Sequence, residues 1–204
     1  MFTKRSTKLF VMMLVVLIVG SGVFLILGPT ALGQELTGRG STIAIEVAEN
    51  GTRFVPDETP AHPDDGRPAY GTEFITEGYL YPAGTLTCAN NECNGTLADG
   101  SPEFPDLVLG KWVCRGWIIG DGAHTITGPN VATTQIFDFG DTPGAKTIVT
   151  DGFELKDFNV EFLRAITGGS GRYRNVRGDQ TQEFLGWNPS FGVALRVELN
   201  VIGR

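Results

Sequence analysis

The chain has 204 residues, including 28 glycines, 13 phenylalanines and three cysteines, and its formal net charge is −7. This length predicts one domain of moderate size behind any N-terminal segment. Residues 1–33 contain three basic and no acidic side chains, so the rest of the chain has 13 basic and 23 acidic ones, a net charge of −10. A surface this acidic argues against nucleic acids and anionic membranes as partners.

The N-terminus has the pattern of a targeting segment. Three basic residues precede an uncharged run of 19 residues, 9–27, and Ala31 and Gly33 then provide the small side chains of a signal-peptidase site. This pattern predicts a secretory signal peptide over residues 1–33. The run is also close to the ~20 residues that span a bilayer, so an uncleaved membrane anchor remains open. Both interpretations place residues 34–204 outside the cytoplasm, either secreted or anchored by residues 9–27.

Beyond residue 40 the chain predicts strands joined by turns. Apolar residues alternate with other residues over 41–47 and, most clearly, over 191–201, which is the period of a half-buried strand. Weaker candidates lie at 72–87, 111–119, 130–139, 147–155, 158–166 and 173–185. Eight antiparallel strands with short links predict an all-β fold, a closed eight-stranded β-barrel that leaves no sheet edge exposed. Residues 34–204 are expected to form this single barrel domain.

Two longer loops, residues 55–71 and 89–110, interrupt the strands. The first contains His62 and several carboxylates, but their order does not match a calcium-binding loop, which favours a solvated loop. Neither His62 nor His124 has a second histidine at ligand spacing, so no metal site is predicted. The sequence also predicts no other cofactor.

The two cysteines Cys88 and Cys114 are predicted to lie on strands that pair across the second loop. An oxidising compartment permits a disulfide between them. In the chain-entropy model this bond would stabilise the fold by roughly 3 kcal/mol. Cys93 would then remain as the unpaired thiol.

The glycine-rich stretch at residues 162–178 has two interpretations, a phosphate-binding loop or a hairpin corner. Gly169 and Gly171 supply G-x-G, but the third glycine of a dinucleotide fingerprint would fall at Arg174. No helical period follows, whereas a phosphate loop uses a helix N-terminus to hold the anion. The stretch therefore predicts a corner, in which Gly168, Gly169 and Gly171 allow positive φ.

Several polar residues are candidates for the barrel interior. Arg115 shares an apolar strand face with Trp117, and Asp138 is its predicted partner on another strand. Glu77 and Tyr79 share a face of an earlier strand, and a carboxyl group in a dry cavity has a raised pKa that suits a general acid. One sequence does not decide which strand face points inward, so an outward, solvated placement remains open.

The residues AITGGSGRYRNVRG are similar to the hairpin A-I-T-G-G-T-G-x-Y-x-x-A-R-G of the allene oxide cyclase and dirigent barrel superfamily. Residues 71–85 resemble its early strand, and the likeness extends roughly over residues 70–202. The resemblance is to a secreted member of bacterial type. It implies an eight-stranded antiparallel barrel with an apolar cavity, often trimeric and without a cofactor. Members either cyclise an unstable fatty-acid epoxide or steer the coupling of phenoxy radicals.

The expected function is therefore to enclose a small apolar or phenolic molecule and to guide its cofactor-free cyclisation or coupling, as an isomerase or as a stereocontrol protein. The expected catalytic residues are Glu77, Tyr79, Arg115 and Asp138, and the expected ligand-binding residues are Phe74, Trp117 and Phe137. A non-catalytic binding barrel remains open, because the G-x-W of Gly110 and Trp112 mimics a lipocalin signature, although in the middle of the chain. A structural or assembly role also remains open, since fold alone does not determine function.

Overall fold

The computed structural model describes residues 40–203, which form an all-β structure. The strands are β1 Ser41–Glu49, β2 Val55–Pro56, β3 Glu73–Pro82, β4 Cys88–Ala89, β5 Glu92–Cys93, β6 Gly110–Ile118, β7 Pro129–Phe139, β8 Thr147–Leu155, β9 Glu161–Gly169, β10 Arg177–Trp187 and β11 Val193–Ile202. Short 3-10 turns lie at Gly51–Arg53, Pro105–Leu107, Gly122–His124 and Gly171–Tyr173. The predicted signal peptide or anchor, with its boundary at residue 33, lies outside the described residues.

Eight long strands form a closed antiparallel barrel. Their order around the ring is β1, β3, β6, β7, β8, β9, β10 and β11, and β11 pairs with both β10 and β1. The predictions of eight strands and of a closed barrel are therefore confirmed. Short β2 adds to β3, and the β4–β5 hairpin attaches to β10.

The barrel interior contains the main hydrophobic core, and β11 shows why. Val193, Leu195, Val197, Leu199 and Val201 belong to this core or pack against it, as the alternation predicts. Burying each such side chain contributes about 1.5–3 kcal/mol. Phe191, the first member of the predicted face, instead precedes the strand and is exposed.

A second hydrophobic cluster lies outside the barrel, beneath the long loop between β3 and β6. Tyr81, Leu86 and Leu185 are among its members. The Tyr81 hydroxyl donates to the Gly95 carbonyl at 2.8 Å, and the Leu86 N–H donates to a Glu46 carboxylate oxygen at 2.6 Å. The loop therefore covers one side of the barrel and buries both faces of the strands there.

The cysteine pairing differs from the prediction. The disulfide joins Cys88 to Cys93, which face each other across the β4–β5 hairpin. Cys114 is a free, buried thiol. The predicted Cys88–Cys114 bond is wrong because Cys114 points into the barrel, whereas Cys88 lies in the outer loop. The disulfide indicates an oxidising, extracytoplasmic environment.

None of the helical segments within residues 40–203 has the length and apolar character to cross a bilayer.

The glycine-rich stretch forms the predicted corner between β9 and β10. Gly171 has φ +55°, and a β-carbon there would lie 1.7 Å from the Ala145 carbonyl oxygen. Gly168 and Gly169 do not adopt positive φ, so that part of the prediction is wrong. Gly169 is needed instead for close approach, since a β-carbon would lie 2.3 Å from the Thr147 carbonyl oxygen. A 3-10 turn and then β10 follow, so the stretch lacks the helix of a phosphate loop.

Candidate functional site

The barrel contains a cavity of about 460 Å³ at one end. Aromatic and aliphatic side chains dominate its wall, among them Phe54, Phe74, Trp112, Phe184, Trp187 and Leu195. This volume is within the range of sites that enclose a small organic molecule. The interior is thus not filled by side chains alone, and an apolar guest of modest size fits it.

Glu49 is a buried carboxyl group in the cavity wall. It is the last residue of β1, and only 5% of its surface is exposed. The Thr76 hydroxyl donates to one of its carboxyl oxygens at 2.6 Å, and the Val193 N–H donates to the other at 2.7 Å. Burial raises the pKa of Glu49; these two hydrogen bonds oppose the rise and nearby Glu154 adds to it. Glu49 is therefore biased towards its protonated form next to an apolar space, which suits a proton donor.

Glu154 on β8 is a second carboxyl group in the wall, with three hydrogen-bond donors and a guanidinium beside it. It accepts from the Thr133 hydroxyl at 2.5 Å, from the Gln182 amide at 3.1 Å and from the Cys114 thiol at 3.4 Å. The Arg164 guanidinium lies 3.6 Å away. Because its oxygens are occupied in this way, Glu154 is suited to anchoring the polar part of the interior.

Arg164 on β9 is completely buried at its side chain. It donates to the carbonyl oxygens of Phe153 and Thr133, both at 2.9 Å. A buried guanidinium is tolerated only with such partners. Burial, with a contribution from Glu154, also raises the pKa of the neighbouring Cys114 thiol well above its ordinary value, which makes this cysteine a poor nucleophile.

Three glutamines extend this polar region. Gln180 donates to Gln135 at 2.9 Å and to Gln182 at 2.8 Å, and Gln135 donates to Gln182 at 2.9 Å. Gln182, in turn, donates to Glu154. Interlocked hydrogen bonds of this kind hold side chains in fixed positions, so the polar part of the cavity is preorganised.

Two buried polar atoms of the wall residues lack a hydrogen-bond partner. The Trp112 indole nitrogen and the Asn130 amide oxygen are buried and have no hydrogen-bond partner among residues 40–203. Buried polar groups normally have partners. Lys156 also lines the cavity, with its ammonium group 4.8 Å from the Trp187 ring and its pKa lowered by burial.

The residues expected to be catalytic are not gathered at this cavity. Arg115 is exposed on the outer face of β6. Asp138 faces outward and accepts hydrogen bonds from the Thr147 hydroxyl and the Gly144 N–H, which hold the β7–β8 turn. The expected pairing of Arg115 with Asp138 inside the barrel is therefore wrong.

Glu77 and Tyr79 also lie outside the barrel. Glu77 is 3.6 Å from Arg53 on the surface, and the Tyr79 hydroxyl donates to the Gly100 carbonyl under the outer loop. The interior face of β3 belongs to the alternate residues, including Phe74 and Thr76. The expected inward face of β3 is one residue out of step with the observed one. A shift of one residue along a strand exchanges its inward and outward faces.

The three expected ligand-binding residues have different positions. Phe74 lies in the cavity wall. Phe137 is fully buried in the barrel core but is not part of that wall. Trp117 is on the outer face, where 52% of it is exposed and its indole N–H donates to Glu73.

The sequence reading missed both cavity carboxyl groups. For Glu49 a signal was present, because the inward alternation of Ile43, Ile45 and Val47 reaches Glu49 in one further step. For Glu154 the signal is weak, since β8 has Gly152 as the preceding inward residue and polar residues on both faces. In this chain, an acidic residue at the end of an apolar strand face indicates the cavity better than an arginine within such a face does.

Comparisons with known proteins give matches at the level of structure. No protein-family model and no curated protein sequence matches the chain. The pterocarpan synthase dirigent protein PsPTS1 is 16% identical, with a TM-score of 0.54 over 81% of this chain and 96% of its own. The corresponding values for the pterocarpan synthase dirigent protein GePTS1 are 15%, 0.53, 89% and 98%. A pyocyanin demethylase aligns over 79% of this chain and 99% of its own, with 15% identity and a TM-score of 0.47.

The two dirigent proteins match nearly their whole length to this barrel at low identity, so the likeness concerns the fold. It agrees with the closed ring of eight antiparallel strands. It also confirms the structural part of the resemblance carried by the β9–β10 hairpin. The chain therefore has the fold of the dirigent-like β-barrels.

Proposed function

We propose that the barrel binds one small, largely apolar or phenolic molecule and promotes its cyclisation or coupling without a cofactor, with Glu49 as the proton donor. The observation that carries this proposal is a buried carboxyl group with a raised pKa in the wall of an apolar cavity. Glu49 replaces Glu77 in the role that the sequence suggested. Glu154 and Arg164 form the polar anchor of the interior.

The physical basis is confinement combined with acid catalysis. A flexible reactant enclosed by rigid walls loses its competing geometries, so positioning alone supplies a large part of the rate. A positioned acid adds roughly 10²–10⁴-fold when a proton moves in the transition state. The same cavity without proton transfer would act as a carrier, and replacement of Glu49 separates these two functions.

The binding part is tested by titrating the full chain with the neutral fluorescent probe N-phenyl-1-naphthylamine. Val131 lines the cavity away from the Glu49 hydrogen bonds, so Val131→Trp is expected to fill the space and abolish probe binding. Val113→Trp, on the outer face of the adjacent strand, is the matched control and is expected to bind the probe normally. Equal binding by both variants, or none by the wild type, would contradict the proposal.

The catalytic part is tested by coupling a propenylphenol in the presence of a one-electron oxidant, with the enantiomeric excess of the dimer as readout. Each phenol loses one electron to the oxidant and one proton to water, and two radicals then form the new bond. In the resulting quinone methide the oxygen takes a proton, which Glu49 would supply, as a phenol hydroxyl adds to close the ring and releases its own proton. Glu49→Gln keeps the shape of the side chain and is expected to retain probe binding while the excess or rate falls at least about tenfold. An unchanged product distribution for Glu49→Gln would favour the carrier.

We also propose that the chain is exported and assembles into a homotrimer. The disulfide supports export. Assembly is supported by an exposed apolar row on the outer wall, where Trp117 pairs with Ala132 and Ala132 pairs with Phe153. Exposed apolar area of this kind is typical of subunit contacts. Trp117→Lys is expected to give monomers in sedimentation analysis if the row forms the contact, and an unaltered subunit number would contradict this.

A further inference from the structure

The two histidines of the chain, 62 residues apart in sequence, lie face to face in the fold. His62 belongs to the loop between β2 and β3, and His124 closes the 3-10 turn after β6. Their imidazole rings stack with centroids 4.0 Å apart and planes 22° from parallel. Both are half-buried. This juxtaposition is separate from Glu49 and does not depend on the function proposed above.

The backbone around the pair is tightly tied. The His62 N–H donates to the Arg67 carbonyl at 2.8 Å, which closes its loop, and the Ala123 N–H donates to the Pro68 carbonyl at 2.8 Å, which joins the two loops. A β-carbon on Gly122 would lie 2.8 Å from the His62 Nε2 atom, so glycine is required for this approach. The backbone positions of the two histidines are therefore fixed by the fold.

Each ring has one nitrogen directed at an oxygen acceptor. His124 Nε2 is 2.8 Å from an Asp65 carboxylate oxygen, and His62 Nε2 is 3.0 Å from the Asp121 carbonyl oxygen. Since these partners accept only, the Nε2 atoms carry the protons and the other nitrogen of a neutral ring keeps its lone pair. Histidines that bind metals show this arrangement, with the distal N–H held by a carboxylate or a carbonyl.

The third donor comes from the Asp121 side chain. His62, His124 and Asp121 each offer one ligand atom, and the three atoms lie within 4.8 Å of one another. Ligand atoms on a tetrahedral Zn²⁺ lie about 3.4 Å apart, given Zn–N bonds of about 2.1 Å. In the stack the lone pairs of the two rings lie side by side, so binding one ion requires at least one imidazole to rotate out of the stack, and water then completes the coordination.

We propose that His62, His124 and Asp121 bind one divalent transition-metal ion, for which Zn²⁺ is the best match, and that Asp65 positions the His124 ring. Imidazole and carboxylate together suit Zn²⁺, whereas Mg²⁺ prefers an all-oxygen site. Pro68, Gly122 and Ala123, in the loops that carry the ligands, also line the cavity. The ion would therefore fasten these two loops to each other at the cavity.

The test uses the full chain without an affinity tag, treated with a chelator and titrated calorimetrically with ZnCl₂. We expect one Zn²⁺ per chain and no comparable heat with MgCl₂. His62→Gln and His124→Gln are expected to lower the affinity at least about tenfold, and Asp65→Asn about 10–100-fold because it orients a ligand. Asp64→Asn removes a neighbouring exposed carboxylate outside the cluster and is expected to leave the affinity unchanged.

A second measurement needs no variant. In the Cu²⁺-loaded wild-type chain, electron paramagnetic resonance should show nitrogen couplings from imidazole, and only these two histidines can supply them. Absence of Zn²⁺ binding, equal affinity in the His62→Gln/His124→Gln double variant, or a Cu²⁺ spectrum with oxygen ligands alone would overturn the proposal.

Discussion

Replacing Arg164 by methionine removes a guanidinium that is completely buried against Glu154. Removing one partner of a buried pair leaves the other charge without compensation, at a cost of about 3–5 kcal/mol. The variant also loses the two hydrogen bonds from Arg164 to backbone carbonyls. For a domain of this size, each kcal/mol lowers the melting temperature by roughly 2–4 °C, so we expect a decrease of roughly 6–20 °C. Thermal and urea unfolding of the full chain measure both values.

The matched control is Arg53→Met. Arg53 lies 3.6 Å from Glu77, the same distance that separates Arg164 from Glu154, but its side chain is 61% exposed. Exposed pairs contribute about 0–1 kcal/mol, so this variant is expected to unfold almost like the wild type. In the Arg164→Met/Glu154→Gln double variant, part of the loss should be recovered, because the uncompensated charge is gone. An Arg164→Met cost below about 1 kcal/mol, or one equal to that of Arg53→Met, would refute the argument from burial.

Three further predictions concern the disulfide, the cavity acid and the hairpin corner. Replacing Cys88 and Cys93 by serine should cost about 2 kcal/mol, and peptide mapping of the wild type should find these two linked; a bond to any other cysteine contradicts this. Because the raised pKa of Glu49 favours the proton in the folded state, the unfolded state ionises first as pH rises. The free energy of unfolding of Glu49→Gln should therefore equal that of the wild type at low pH. It should exceed the wild-type value increasingly as pH rises from about 4 through the raised pKa of Glu49; a pH-independent difference would contradict this. Gly171→Ala should destabilise more than Gly84→Ala, since both have positive φ but only Gly171 meets a backbone oxygen; equal melting temperatures would show that φ alone matters.

The strand number and the barrel could be predicted because they depend on local alternation. In β11, five apolar residues at every second position decide the buried face without reference to any other strand. Closure of the barrel could be predicted on general grounds, since eight antiparallel strands avoid exposed edges by forming a ring. The β9–β10 corner was predicted for a similar reason, because glycines and the absence of a helical period are local features.

The site could not be predicted because it depends on which face of an ambiguous strand points inward. On β6, Trp112 and Cys114 point inward while Val113 and Trp117 point outward, so each face carries large apolar residues. Because Arg115 lies between Val113 and Trp117, it was predicted to face the interior, although this face points outward. Only the packing of the neighbouring strands decides between two such faces.

The disulfide and the histidine pair were missed for a different reason. Cys88 and Cys93 are brought together by a short hairpin inside a loop that shows no alternation of apolar and polar residues. Cys114 lies in a strand that the sequence predicts, so the sequence favours it as the partner of Cys88. His62 and His124 meet through loop packing across 62 residues of sequence, a relation that ligand spacing along the chain does not reveal.

Native mass spectrometry of the chain isolated without detergent tests the central claim, that the barrel encloses a small molecule, most directly. The account predicts that each wild-type barrel retains one small organic molecule in the cavity of about 460 Å³. Val131→Trp should have the bare protein mass, while Val113→Trp, altered on the outer face, should retain the molecule. A bare mass for the wild type, or the same bound molecule on the Val131→Trp variant, would contradict the assignment of this cavity as the functional site.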